Sequence, residues 1–264
     1  MQIIDQLTNV RKMAQTESSP RGRIITFTSG KGGVGKSNIA LNLAIALTEM
    51  GQSVTLFDAD THLANVSILM GKTSQSTLAD VLFGDKTIAD ITIEDPAGMK
   101  IVSASSGMND LTGLENGIKE RFFQEIYKLS YKNDFIIIDT SAGLSETVID
   151  FSIRADEVIV VTTPEPTAIS DSYVLIKVLF GMKERIRFGT LINCVKSKEE
   201  AEEVFERFSL VVEHFLQTNT EYLGFVREDK HVRSAIQKQS PFFCAFPKSK
   251  ASKCISQIAQ RMLA

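Results

Sequence analysis

Two kinds of hydrophobic pattern alternate along this chain. Short, nearly unbroken apolar runs rich in β-branched residues predict strands at Ile24–Thr28, Val54–Phe57, Lys100–Ser103, Phe135–Ile138, Val158–Thr162, Phe188–Ile192 and Glu221–Phe225. Several of these runs have no polar face, as parallel strands covered on both sides require. Between them, apolar residues recur at helical spacing over Lys119–Ser130, Ile169–Phe180, Glu199–Gln217 and Ser249–Leu263. Ile39, Leu43, Ala46 and Leu47 keep the same period after the first strand, through Met50 to a stop at Gly51. Strand and helix in alternation imply an α/β fold. The expectation is a doubly wound, mostly parallel sheet of about seven or eight strands, helices on both faces and ligands at the carboxyl ends of the strands.

Ahead of this alternation lies a different unit. Ile3, Leu7 and Val10, continued by Met13, share one helical face, so residues 1–14 read as a separate helix. Residues 15–22 are a polar linker, and residues 23–264 form the main domain. With 264 residues and 43% hydrophobic positions there is enough apolar material for one large core. A net charge of −3 argues against a globally basic nucleic-acid binder. Three cysteines, Cys194, Cys244 and Cys254, lack metal-ligand spacing and read as reduced thiols. With no signal peptide and no apolar run of spanning length, the expected location is the cytoplasm.

Candidate chemistry follows the first strand. Gly30-Lys31-Gly32-Gly33-Val34-Gly35-Lys36-Ser37 fits the phosphate-loop pattern, whose glycines let backbone N–H groups close around phosphates. Lys36 would reach the β- and γ-phosphates, and the Ser37 hydroxyl would hold Mg²⁺. Asn38 opens the helix that follows, whose N-terminus adds free N–H groups and a positive dipole end. Two further strands end in acids: Val54–Phe57 runs into Asp58-Ala59-Asp60, and Phe135–Ile138 into Asp139. Aspartate often just terminates a strand. Three in this order behind a phosphate loop instead suggest Asp58 and Asp139 at Mg²⁺, with Asp60 positioning the attacking water.

These residues resemble the MinD/ParA group of deviant phosphate-loop ATPases over nearly all of residues 23–263. The resemblance implies the P-loop NTPase fold of the SIMIBI class, with ATP and Mg²⁺ as cofactors. Lys31 matches the group's signature lysine, which crosses an ATP-sandwiched homodimer to the nucleotide of the other subunit. Asp58-Ala59-Asp60 with Leu63, Ala64 and Asn65 resembles the first switch segment, and Asp139-Thr140-Ser141-Ala142-Gly143 the second. Asn193 matches an asparagine that reads adenine, for which an amide has both donor and acceptor. Within the group, Thr162–Ala168 resembles a segment common to MinD and FlhG, and Asn193–Ser197 looks more similar to the FlhG branch (also called FleN or YlxH), which controls flagellar number. Asp5, Gln6 and Arg11 match that branch's N-terminal motif, which stimulates the flagellar signal-recognition-type GTPase FlhF. The resemblance thus implies a slow, dimerising ATPase switch. Flagellar switch proteins or a transcription regulator would be further partners, and no sequence-specific nucleic acid is implied.

The chain departs from the pattern in three places. Thr61-His62 follows Asp60 where a hydrophobic residue and glycine are common, and Arg227 stands where proline is usual in the segment near adenine. The stripe Ile255, Ile258, Ala259, Met262 and Leu263 matches the last core helix, with no residues left for an additional membrane helix, so direct membrane association is in doubt. Recruitment to the pole or membrane would then fall to partners. The alternative is a ParA-type partition ATPase on non-specific DNA, with Lys183, Arg185, Arg187, Lys196 and Lys198 as basic surface. An iron-protein-like reductase is excluded, because no cysteine lies in the second switch segment.

Overall fold

The structure is a computed structural model that describes residues 21–60, 78–95, 98–103, 114–183 and 185–264. Asp5, Gln6, Arg11 and the rest of residues 1–20 lie outside the described residues, as do Thr61, His62, Leu63, Ala64 and Asn65. The strands are β1 (Arg23–Thr28), β2 (Val54–Asp58), β3 (Ile93–Glu94), β4 (Lys100–Ser103), β5 (Phe135–Asp139), β6 (Glu157–Thr162), β7 (Arg187–Val195) and β8 (Thr220–Arg227). They form one eight-stranded sheet in the order β3-β4-β2-β5-β1-β6-β7-β8. All pairings are parallel except β3 with β4. The chain moves outward from β1 in both directions, so the carboxyl end of β1 is the topological switch point where doubly wound sheets bind ligands.

Each face of the sheet carries its own core. Helices α1 (Lys36–Glu49), α8 (Phe242–Ala245) and α9 (Lys250–Leu263) cover one, with Ile25, Phe27, Ile137 and Ile159 beneath them. The other is covered by α3 (Asn116–Ser130), α4 (Glu146–Arg154), α5 (Pro166–Met182) and α6 (Lys198–Leu216), over Ile24, Ile136, Ile138 and Val158. Neighbouring strand residues thus serve opposite cores, which removes any polar alternation from the sequence. Short helices α2 (Leu78–Leu82) and α7 (Lys230–Gln237) complete the described elements, with a 3₁₀ turn at Ile88–Ile91. In α9, Ile255, Ile258, Ala259 and Met262 are buried while Leu263 is exposed. That apolar stripe faces the core, as its spacing predicts.

Arg21 and Gly22, at the end of the predicted linker, are tied to the main domain. Gly22 N–H donates to the Ser130 carbonyl at 2.7 Å, and Arg21 donates to Asp156 at 2.7 Å. Burial alone would push the Asp156 carboxyl up, but the Arg21 guanidinium and the Ile24 N–H outweigh it and hold the carboxyl below its ordinary value. A carboxyl held low contributes stability above the unfolded pKa of about 3.9 and loses it as pH falls through the folded value. Asp156→Asn is therefore expected to lower stability at neutral pH and to flatten its decline below about pH 4. Urea midpoints measured across that range check both effects.

Candidate active site

Register brings the acids together. Asp139 of β5 pairs with Phe27 of β1 on one side and with Asp58 of β2 on the other. Both carboxylate residues are fully buried at the switch-point end of the sheet. Phe57, immediately before Asp58, packs against Phe122 and Phe151 at centroid distances of 5.8 and 5.7 Å, which anchors the strand end from the opposite core. The loop then turns from β1 into α1. Gly35 caps the helix at φ 89°, in the left-handed region, and a Cβ there would stand 2.3 Å from the Asn193 amide nitrogen. The first turn of α1 contains no acidic residue, so its positive end is uncompensated by its own side chains.

Lys36, at the start of α1, points its ammonium at Asp139. The Nζ–Oδ1 distance is 2.6 Å, and Lys36 is 7% exposed. The same ammonium donates to the Ser37 hydroxyl at 3.4 Å, so the two oxygens expected at magnesium share one cation. The second carboxylate oxygen of Asp139 is buried, with no hydrogen-bond partner among the described residues. The Thr28, Thr162 and Thr163 hydroxyls, at or just beyond the ends of β1 and β6, are also buried and unpartnered. Unpaired buried polar atoms are costly, and their clustering at the switch point marks it as a place prepared for polar company.

The remaining predicted residues occupy distinct positions. Asp60 is 8% exposed, and its backbone N–H donates to Asp58 Oδ1 at 3.3 Å, so the two acids form one turn. Asn193 donates from Nδ2 to the Val34 carbonyl at 2.7 Å, supporting the phosphate loop itself. Gly32 and Gly33 are exposed and Val34 is buried. Asn38 accepts at its carbonyl from Asn42 at 2.7 Å within α1. Lys31 does not join Lys36. It turns outward to Glu165 at 2.8 Å and Thr167 at 2.9 Å, just before and within the first turn of α5. The loop is tied to the second switch segment by Gly143 N–H donating to the Ser29 carbonyl at 2.8 Å.

Comparison with known proteins agrees with this geometry. The ParA family description, NUBPL iron-transfer P-loop NTPase, matches residues 21–263. The chain belongs to the ParA/MinD family of P-loop NTPases. It is an ATP hydrolase of that family, with ATP and Mg²⁺ as cofactors. The antiactivator FleN of Pseudomonas aeruginosa is 39% identical over 250 residues, covering 95% of this chain and 89% of that protein. The flagellum site-determining protein YlxH of Helicobacter pylori is 31% identical over 261 residues, covering 97% and 87%. Among solved structures, MinD complexed with Mg-ADP from Pyrococcus horikoshii superposes with a TM-score of 0.73 at 27% identity, covering 91% of this chain and 96% of that one.

Family membership and donor chemistry meet at one cluster. A hydroxyl, a carboxylate with an unpartnered oxygen and a second buried carboxylate are the hard oxygen set that Mg²⁺ takes alongside nucleotide phosphates. Ser37 and Asp139 would hold the ion, with Asp58 beside them. Glu165 and Thr167 carried no assigned role in the sequence, although their segment, Thr162–Ala168, stood out by resemblance. Only the folded chain brings them to Lys31. Both Lys31 and Glu165 are well exposed, so the pair contributes at most about 1 kcal/mol. Lys31→Ala is expected to leave the urea midpoint essentially unchanged.

Proposed function

We propose that this chain is an ATP-dependent dimerising switch that controls flagellar number or placement. The observation that carries this reading is the division of labour between two lysines of one loop. Lys36 is buried on Asp139, whereas Lys31 stands at the surface, where a second subunit's nucleotide can meet it. A cation in that position favours a dimer when a γ-phosphate is present, because charge in a closed interface is screened less than in water. Lys36 and the loop N–H groups orient the phosphates, and Asp60 positions the attacking water. Mg²⁺ held by Ser37 and Asp139 supplies charge neutralisation at the phosphates. Phosphoryl transfer needs mainly positioning and charge, so this set suffices for slow turnover.

The flagellar assignment is supported by the likeness to FleN and YlxH. We assign Asp5, Gln6 and Arg11 to stimulation of the GTPase FlhF, and residues 1–14 to that contact. No helix among the described residues is long and apolar enough to cross a membrane. On this reading the protein works in the cytoplasm and reaches the pole or membrane through partners. Light scattering tests the switch. Asp60→Ala with ATP is expected to be dimeric, whereas the same variant carrying Lys31→Ala, and wild type with ADP, stay monomeric. A monomer under all three conditions would reject dimerisation. Deletion of residues 2–14 should abolish GTPase stimulation while sparing ATP hydrolysis; stimulation that survives the deletion would overturn the N-terminal assignment.

A further inference from the structure

Strand β8 closes one end of the sheet, and its outer edge is the floor of a groove. The groove has a volume of about 720 Å³ and runs between the start of α6 and the outer side of α9. Its walls carry Lys198, Arg227, Lys250, Lys253 and Arg261 against one acid, Glu202. Lys198 lies 3.3 Å from Glu202 and offsets it. Among the described residues, Arg227, Lys250, Lys253 and Arg261 form no ion pair. Four cations without an ion-pair partner among the described residues thus line one groove in a chain whose net charge is −3, Arg227 lying within electrostatic reach of Glu199.

The floor has a different character. Phe225 and Tyr222, both partly exposed, give it aromatic surface, and the Tyr222 ring leans on Phe205 at a centroid distance of 4.7 Å. The Tyr222 hydroxyl is buried and lacks a hydrogen-bond partner. Burial, followed by the nearby Glu202, pushes its pKa up to about 12, so the hydroxyl stays a donor at neutral pH. Arg261 donates to the Tyr222 carbonyl at 2.8 Å, placing a guanidinium directly on the free edge of the strand. Backbone groups of the edge strand, aromatic surface and cations therefore share one site.

We propose that this groove docks an extended acidic segment of a partner protein. A free strand edge offers backbone groups that another peptide can use, and alternate side chains of an extended peptide would reach the apolar floor and the cationic walls in turn. A nucleic acid would answer the cations but not the apolar floor, and a bilayer is too flat to enter a groove. Lys250, Lys253 and Arg261 lie on α9, outside the residues assigned to the nucleotide.

Fluorescence anisotropy on the full chain tests the proposal with a labelled peptide of four Glu-Val repeats. Binding is expected near physiological salt, and it should weaken by about tenfold or more in the Lys253→Glu, Arg261→Glu double variant. ATP hydrolysis should be unchanged in that variant, which serves as the folding control; if the double variant misfolds, Lys250→Gln with Lys253→Gln replaces it. A random DNA duplex and phosphatidylglycerol vesicles are expected to bind at least about tenfold more weakly than the peptide. Undetectable peptide binding, equal affinity in the charge-reversed protein, or DNA or vesicles binding as well as the peptide would each overturn the assignment.

Discussion

Lys36→Ala is expected to abolish ATP hydrolysis and also to destabilise the folded protein by about 3–5 kcal/mol. The two losses have separate causes. Hydrolysis fails because the cation at the β- and γ-phosphates is gone. Stability falls because Asp139 is fully buried and one of its oxygens already lacks a partner, so removing the ammonium at 2.6 Å strands a buried charge. A second substitution separates them. Adding Asp139→Asn removes the stranded charge, so the double variant should recover most of the urea midpoint while phosphate release stays at background. A single variant as stable as wild type would show that the ammonium is not the carboxylate's main support.

Gly30→Ala should cost about 1–3 kcal/mol or more, whereas Gly32→Ala, two residues away in the same loop, should fall within about 0.5 kcal/mol of wild type. A Cβ on Gly30 would stand 2.2 Å from the carbonyl carbon of Asp171 and 2.4 Å from its oxygen, both backbone atoms of α5. No rotamer change relieves such a clash, so the helix must move away from the loop. A Cβ on Gly32 meets nothing within 4 Å. Thermal unfolding of the two variants side by side distinguishes a packing requirement from a general demand for glycine in phosphate loops. The displaced helix would also carry Thr167 away from Lys31, linking the packing fault to the surface lysine.

The legible part of this fold was the part buried on both faces. Residues such as Ile136, Ile137 and Ile138 serve two cores at once, and an unbroken apolar run has few other uses. The elements that escaped were short or mixed. Strand β3 is two residues long and antiparallel, too brief for any periodicity. Helix α4 reads Glu-Thr-Val-Ile-Asp-Phe-Ser-Ile-Arg, and its clearest signal is Ser145, whose side chain caps Val148 N–H. Asp229 gives the same signal for α7 through His231 N–H. In the site, Lys36, Ser37 and Asp139 could be read because motif and strand end fix them locally. Asn193 on Val34 and Lys31 on Glu165 could not, since each contact joins residues more than a hundred positions apart. The Asn193 amide nitrogen donates to the loop carbonyl, a use that spacing alone cannot reveal.

One six-residue strand, β1, separates Arg21, clamped to Asp156, from the phosphate loop. That is about 20 Å of backbone. It is paired on both sides, to β5 and to β6, and almost wholly buried. Such a strand cannot slide or stretch without breaking both ladders, so it is a spacer rather than a lever. The Arg21–Asp156 clamp therefore stays at a fixed distance from the loop. On the proposed reading, a partner that grips residues 1–14 would meet two copies of that segment in the ATP-bound dimer and one in the monomer. Nucleotide state would then be reported as valency, with the affinity gain that a second linked contact provides.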